Sequence, residues 1–74
     1  MDEKTMIAKA KVYLKNQYGE DTVTMDVTGN SVEDTGSGVL SVDCTVSVGG
    51  SHSDWRKKFH FRNGDITRMD WESR

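Results

Sequence analysis

The chain opens with apolar residues at helical spacing. Met6, Ile7, Ala10, Tyr13, Leu14, Gln17 and Tyr18 follow the i, i+3, i+4, i+7 rule. They cover an arc of about 140° at roughly 100° per residue, which predicts a helix over residues 3–18. Asp2 is placed to cap the first turn, and Glu3 suits the positive end of the helix dipole. Gly19 stands where a left-handed residue ends a helix. Lys4, Lys11 and Lys15 form a stripe on the opposite, solvated face.

The period then changes from about four to two. In residues 22–28, TVTMDVT, Val23, Met25 and Val27 point one way and Thr22, Thr24, Asp26 and Thr28 the other, the mark of a strand with one wet face. GNSVEDTGSG breaks the alternation and reads as a loop. Alternation resumes over residues 39–48, with Leu40, Val42, Cys44, Val46 and Val48 toward the core and Ser41, Asp43, Thr45 and Ser47 outward. GGSHS reads as a second flexible loop.

The closing segment DWRKKFHFRNGDITRMDW predicts a hairpin with a choice of register. A two-residue Asn63-Gly64 turn sets Phe59 opposite Arg68 and Arg56 opposite Trp71, mixing charge and core on both faces. A three-residue loop over Arg62, Asn63 and Gly64, with Gly64 left-handed, keeps the faces apart. It pairs Phe59 with Thr67, Lys57 with Met69 and Trp55 with Trp71 inside. Outside it pairs Arg56 with Asp70, Lys58 with Arg68 and His60 with Ile66. The apolar pattern selects the second register, because a one-residue slip turns every side chain over. Lys57 is then the one awkward inner residue, expected to run its stem out to an edge.

These elements give an α+β fold, α-β-β-β-β, with one N-terminal helix packed on a four-stranded antiparallel meander sheet. The expected core joins Val23, Met25, Val27, Leu40, Val42, Cys44, Val46, Trp55, Phe59, Phe61, Met69 and Trp71 to Ile7, Ala10, Tyr13, Leu14 and Tyr18. The element order is similar to that of cystatin-like domains, but it comes with no signature residues, and fold analogy does not carry function.

Length adds one domain spanning residues 1–74 and a modest core, since such a chain buries about 60% of its unfolded surface. The residues are 34% apolar and 30% charged, ordinary for a globular chain. No apolar run has transmembrane length, and the first fifteen residues lack a signal-like apolar stretch. With Cys44 as the only cysteine, the expectation is a cytoplasmic protein with a reduced thiol. A mature secreted chain, its signal already removed, fits the same composition.

Net charge is −2, unevenly spread: no lysine or arginine lies between Asn16 and Trp55, against seven carboxylates. Arg56, Lys58, His60, Arg62 and Arg68 concentrate on the outer face of the closing hairpin. They are the candidate binding residues, for an anion, a nucleic acid or an acidic partner. Nucleic acid is argued against by the acidic net charge and by aromatics that fall on the core side, where they offer no stacking platform.

Asp34-Thr35-Gly36-Ser37 matches the tetrapeptide of aspartic-protease loops. That chemistry needs two carboxylates sharing a proton, and an apolar residue precedes the Asp there, where this chain has Glu33. His52 and His60 lack metal-ligand spacing, and Cys44 shares its face with no histidine. No catalytic residue, cofactor site or metal site is expected. The reading is a non-enzymatic binding module whose exposed sheet face meets a protein partner or a second copy, with no membrane role.

Overall fold

A computed structural model describes all 74 residues. The helix α1 spans Glu3–Tyr18, followed by strands β1 (Asp21–Asn30), β2 (Gly38–Val48), β3 (Ser51–Arg62) and β4 (Asp65–Ser73). The strands form one antiparallel sheet in the order β1-β2-β3-β4, and the helix covers one face. The α+β helix-on-meander architecture is therefore that of the chain.

The helix starts as its sequence dictates. The Thr5 amide donates to Asp2 Oδ1 at 2.8 Å, satisfying one of the free donors of the first turn. It stops at Gly19, which is left-handed at φ 67°. Met6, Ala10 and Leu14 are buried and meet Leu40, Val42, Cys44, Val46, Phe59, Phe61 and Met69 in one core. Burying residues of this size contributes about 1.5–3 kcal/mol for each larger side chain.

Several expected core residues sit elsewhere, and β-bulges explain the clearest case. Thr22 faces Val46 while Thr24 faces Thr45, so Val23 is an extra residue in β1. The bulge throws Val23 outward, 49% exposed, and turns Thr22 in, where its hydroxyl is buried without a partner. A second bulge at Thr28 turns Asn30 toward the helix, where Nδ2 donates to Glu3 Oε1 at 3.3 Å. At their elements' ends Tyr18 and Val48 are exposed.

The loops are tighter than their composition suggests. GGSHS is only a Gly49-Gly50 turn, both residues at positive φ, with Ser51–Ser53 already in β3. The 33–37 loop docks on the β3–β4 turn. The Gly64 amide donates to Gly36 O at 3.0 Å, and the Asn63 amide to Ser37 Oγ at 3.1 Å. A Cβ on Gly36 would stand 2.5 Å from Gly64 N, so the contact requires glycine there.

The closing hairpin corrects the expected register. Asn63-Gly64 forms the two-residue turn, at φ 50° and 85°, with Arg62 opposite Asp65. Thr67 then bulges between Phe61–Ile66 and His60–Arg68. Below it Phe59 faces Met69, Lys58 faces Asp70, Lys57 faces Trp71, Arg56 faces Glu72 and Trp55 faces Ser73. The shift is two residues, so the face assignments of Trp55, Lys57, Phe59, Met69 and Trp71 survive while their partners change, but Trp71, expected in the core, lies past the helix end and is 57% exposed.

Candidate functional site

The face of the sheet opposite the helix has no covering layer. The alternation of β3 places Arg56, Lys58, His60 and Arg62 along it, and β4 adds Arg68, Asp70 and Glu72. The corrected register decides which charges are neutralised. Arg56 Nε donates to Asp43 Oδ1 at 3.0 Å and reaches Glu72 at 3.7 Å. Arg74 adds contacts at 3.6 Å to Asp43 and Asp54, and Asp54 accepts from Thr45 Oγ1. That end of the face is a closed charge network.

The other end is not closed. His60 Nε2 lies 2.8 Å from Asp70 Oδ2, and His60 faces Arg68 rather than Ile66. Asp70 stands among Lys58, His60 and Arg68, so Lys58 and Arg68 are not the opposed pair of like charges expected from the sequence. None of Lys58, Arg62 and Arg68 has a carboxylate oxygen within 4.0 Å. The His60 hydrogen bond, with lesser help from the Arg68 and Lys58 charges, holds the Asp70 carboxyl below the usual aspartate range. The Arg56 hydrogen bond does the same for Asp43. Of the five candidate residues, two are paired and three present free cations.

On the helix side the structure shows an arrangement the sequence hinted at only as an anomaly. Lys57 is 3% exposed and does not reach an edge. Its Nζ donates to Glu20 Oε1 at 3.0 Å and sits 5.7 Å and 5.4 Å from the Tyr18 and Trp55 ring centres. Gly19 brings this about: its left-handed turn swings Glu20 under the helix end, where the Gly19 and Glu20 amides satisfy the Leu14 and Lys15 carbonyls. The signal was strict alternation in WRKKFHF, which commits Lys57 to the core side, next to the first carboxylate past the helix stop. The pair and its two rings fill the end of the core.

The remaining candidates take structural places. Burial raises the Cys44 thiol above its usual range, and Cys44 packs in the core beside Trp55 of β3. Within Asp34-Thr35-Gly36-Ser37, Gly36 and Ser37 anchor the loop on the neighbouring turn. His52 is exposed opposite Ser47. No three His, Cys, Asp or Glu side chains are grouped to hold a metal ion, and no helix is long and apolar enough to cross a membrane. Val12 lies on the exposed flank of the helix, and Val39 faces His60 on the open side of the sheet.

The class is thus a small α+β domain, one helix on a four-stranded meander with the opposite sheet face open. No protein-family model matches the chain, and neither curated proteins nor solved structures give a significant match.

Proposed function

We propose that the chain is a non-enzymatic interaction module that seats an acidic protein segment on the open face of its sheet. The observation that carries this reading is the trio Lys58, Arg62 and Arg68, cations on an uncovered face with no carboxylate within ion-pair distance. An incoming carboxylate finds three cations without a carboxylate in contact around the β3–β4 end, which favours encounter and orientation more than raw affinity. The opposite end of the face, closed by Arg56, Arg74, Asp43 and Asp54, offers no such charge. Acid–base catalysis favours a group poised near neutrality, whereas Asp43 and Asp70 are pushed the other way by their partners. The hollow beside Lys58 and Asp70 is about 190 Å³, below the usual range of small-molecule sites.

The test is an amide-resolved NMR titration at low salt with a synthetic Glu/Asp-rich peptide. Shifts should centre on Lys58, Arg62 and Arg68 and fade with added salt. A Lys58→Glu/Arg62→Glu variant should weaken binding at least tenfold. Shifts on the helix side, or equal binding by that variant, would refute the proposal. Tighter binding of inorganic phosphate than of the peptide would replace it with a small-anion site.

A further inference from the structure

The two edges of the sheet are not alike. β1 is interrupted by bulges at Val23 and Thr28 and contains Gly29, devices that stop an edge from pairing with another chain. β4 has a single bulge, at Thr67, and from Arg68 to Ser73 it is regular, with no proline or lysine. The Arg74 amide donates to Asp54 O, so from Arg68 onward the even-numbered residues of β4 turn their backbone groups to β3. Strand alternation then leaves the N–H and C=O groups of Met69, Trp71 and Ser73 on the free edge.

The apolar surface beside this edge is also exposed. Trp71 is 57% exposed, its ring centre 6.2 Å from that of the half-open Tyr18. Near the other end of β4 a groove of about 410 Å³ runs between the helix and the edge, lined in part by Val12, Tyr13, Asp65 and Ile66. Val12 is 58% exposed there.

We infer that β4 pairs with β4 of a second copy of the chain, antiparallel about a two-fold axis at Met69, to make a continuous eight-stranded sheet. Charge selects both the occupant and the register. Centring on Met69 sets Arg68 opposite Asp70 of the second copy, and by symmetry Asp70 opposite its Arg68, so each free Arg68 gains one carboxylate. Centring on Asp70 also sets Arg68 opposite Glu72 but puts two aspartates face to face, and centring on Trp71 sets Asp70 against Glu72 and Arg68 against Arg74; only the Met69 register holds no like-charge pair. In the Met69 register each Trp71 is carried past the other copy's Thr67 to the mouth of the groove lined by Ile66 and Val12. The contact is isologous, as a two-fold requires. The regular ladder overlaps over Arg68–Asp70 of each strand, flanked by Thr67 and Trp71, which makes it a small interface and a weak, concentration-dependent one.

Sedimentation equilibrium at low salt, from micromolar to millimolar protein, tests this inference. The mass should rise toward two chains and fall back with salt. Arg68→Asp alone places like charges opposite each other and should weaken association about tenfold or more. Arg68→Asp/Asp70→Arg re-creates the opposite-charge pairs with signs exchanged and should restore it, and Trp71→Ala should weaken it. Arg62→Gln, which lowers the outer-face charge away from the Arg68–Asp70 pairs, should leave it unchanged. A single-chain mass at millimolar concentration would overturn the inference, as would a charge swap that folds but fails to restore dimers.

Discussion

Removing one partner of the buried Lys57–Glu20 pair should have an effect that depends on which partner is removed. Glu20→Gln leaves the Lys57 ammonium 3% exposed, with no carboxylate to replace the one at 3.0 Å. Stranding a buried charge in this way costs about 3–5 kcal/mol. At about 0.05–0.15 kcal/mol per residue, a chain of this length has only about 4–11 kcal/mol of stability in total. The variant should therefore lose about a quarter or more of its stability, and its Tm should fall by at least about 10 °C. Lys57→Met is the contrasting perturbation. The methionine fills the same stem volume between Tyr18 and Trp55, where sulfur–aromatic contacts offset the lost cation–π contacts. Glu20, with 14% of its side chain accessible, begins just past the helix stop and can rotate toward water, away from the negative end of the helix dipole. Lys57→Met should thus fall within about 1 kcal/mol of the parent, since apolar replacement of buried ion pairs is often neutral or stabilising. Urea unfolding followed by tryptophan fluorescence measures both, with Trp55 as a local reporter. Equal small losses for the two variants would mean that the pair behaves as a surface contact. A large loss for Lys57→Met with none for Glu20→Gln would show that Lys57 is held by something other than Glu20. Either result refutes the reasoning.

Gly36→Ala should cost about 1–3 kcal/mol from its φ of 84° alone and more from the close approach to Gly64; hydrogen exchange should quicken in both the 33–37 loop and the β3–β4 turn. Asp43 and Asp70 bind their protons more weakly in the folded chain than in the unfolded one. Their contribution to stability is therefore complete above the ordinary aspartate range and is lost as the pH falls through it toward their folded values. Acid titration of the Tm should show that loss, and Asp43→Asn/Asp70→Asn should flatten it. Deleting Thr67 removes the bulge without changing any other cross-strand pair, so that variant should keep its fold and lose about 1 kcal/mol, the scale of the Thr67 Oγ1 bond to the His60 carbonyl; a collapse of the NMR spectrum would contradict the pairing.

The helix, the four strands and the sidedness of the sheet were legible because each rests on local chemistry: a cap at Asp2, a stop at Gly19, and period-two runs of Val, Leu and Phe. What the alternation could not show was where it skips a residue. A bulge leaves no mark in composition, so Val23 read as core and Thr22 as solvent-facing, and the structure reverses both. In the closing hairpin two sound rules opposed each other. Asn-Gly asks for a two-residue turn, and the apolar residues ask for separated faces; each excludes the other in an unbroken ladder. Thr67 satisfies both by absorbing one residue, which required knowing the pairing in advance. The candidate site inherited this ambiguity. That the five basic candidates lie on the outer face followed from parity alone, whereas Ile66, expected there beside His60, faces Phe61 and packs on the core because of the bulge. Whether Lys58 opposes Arg68 or Asp70 depends on it entirely, and so does the number of free cations left to bind anything. For a charged sheet face, sidedness is thus a local property of the sequence, while neutralisation is set by a single bulge several residues away.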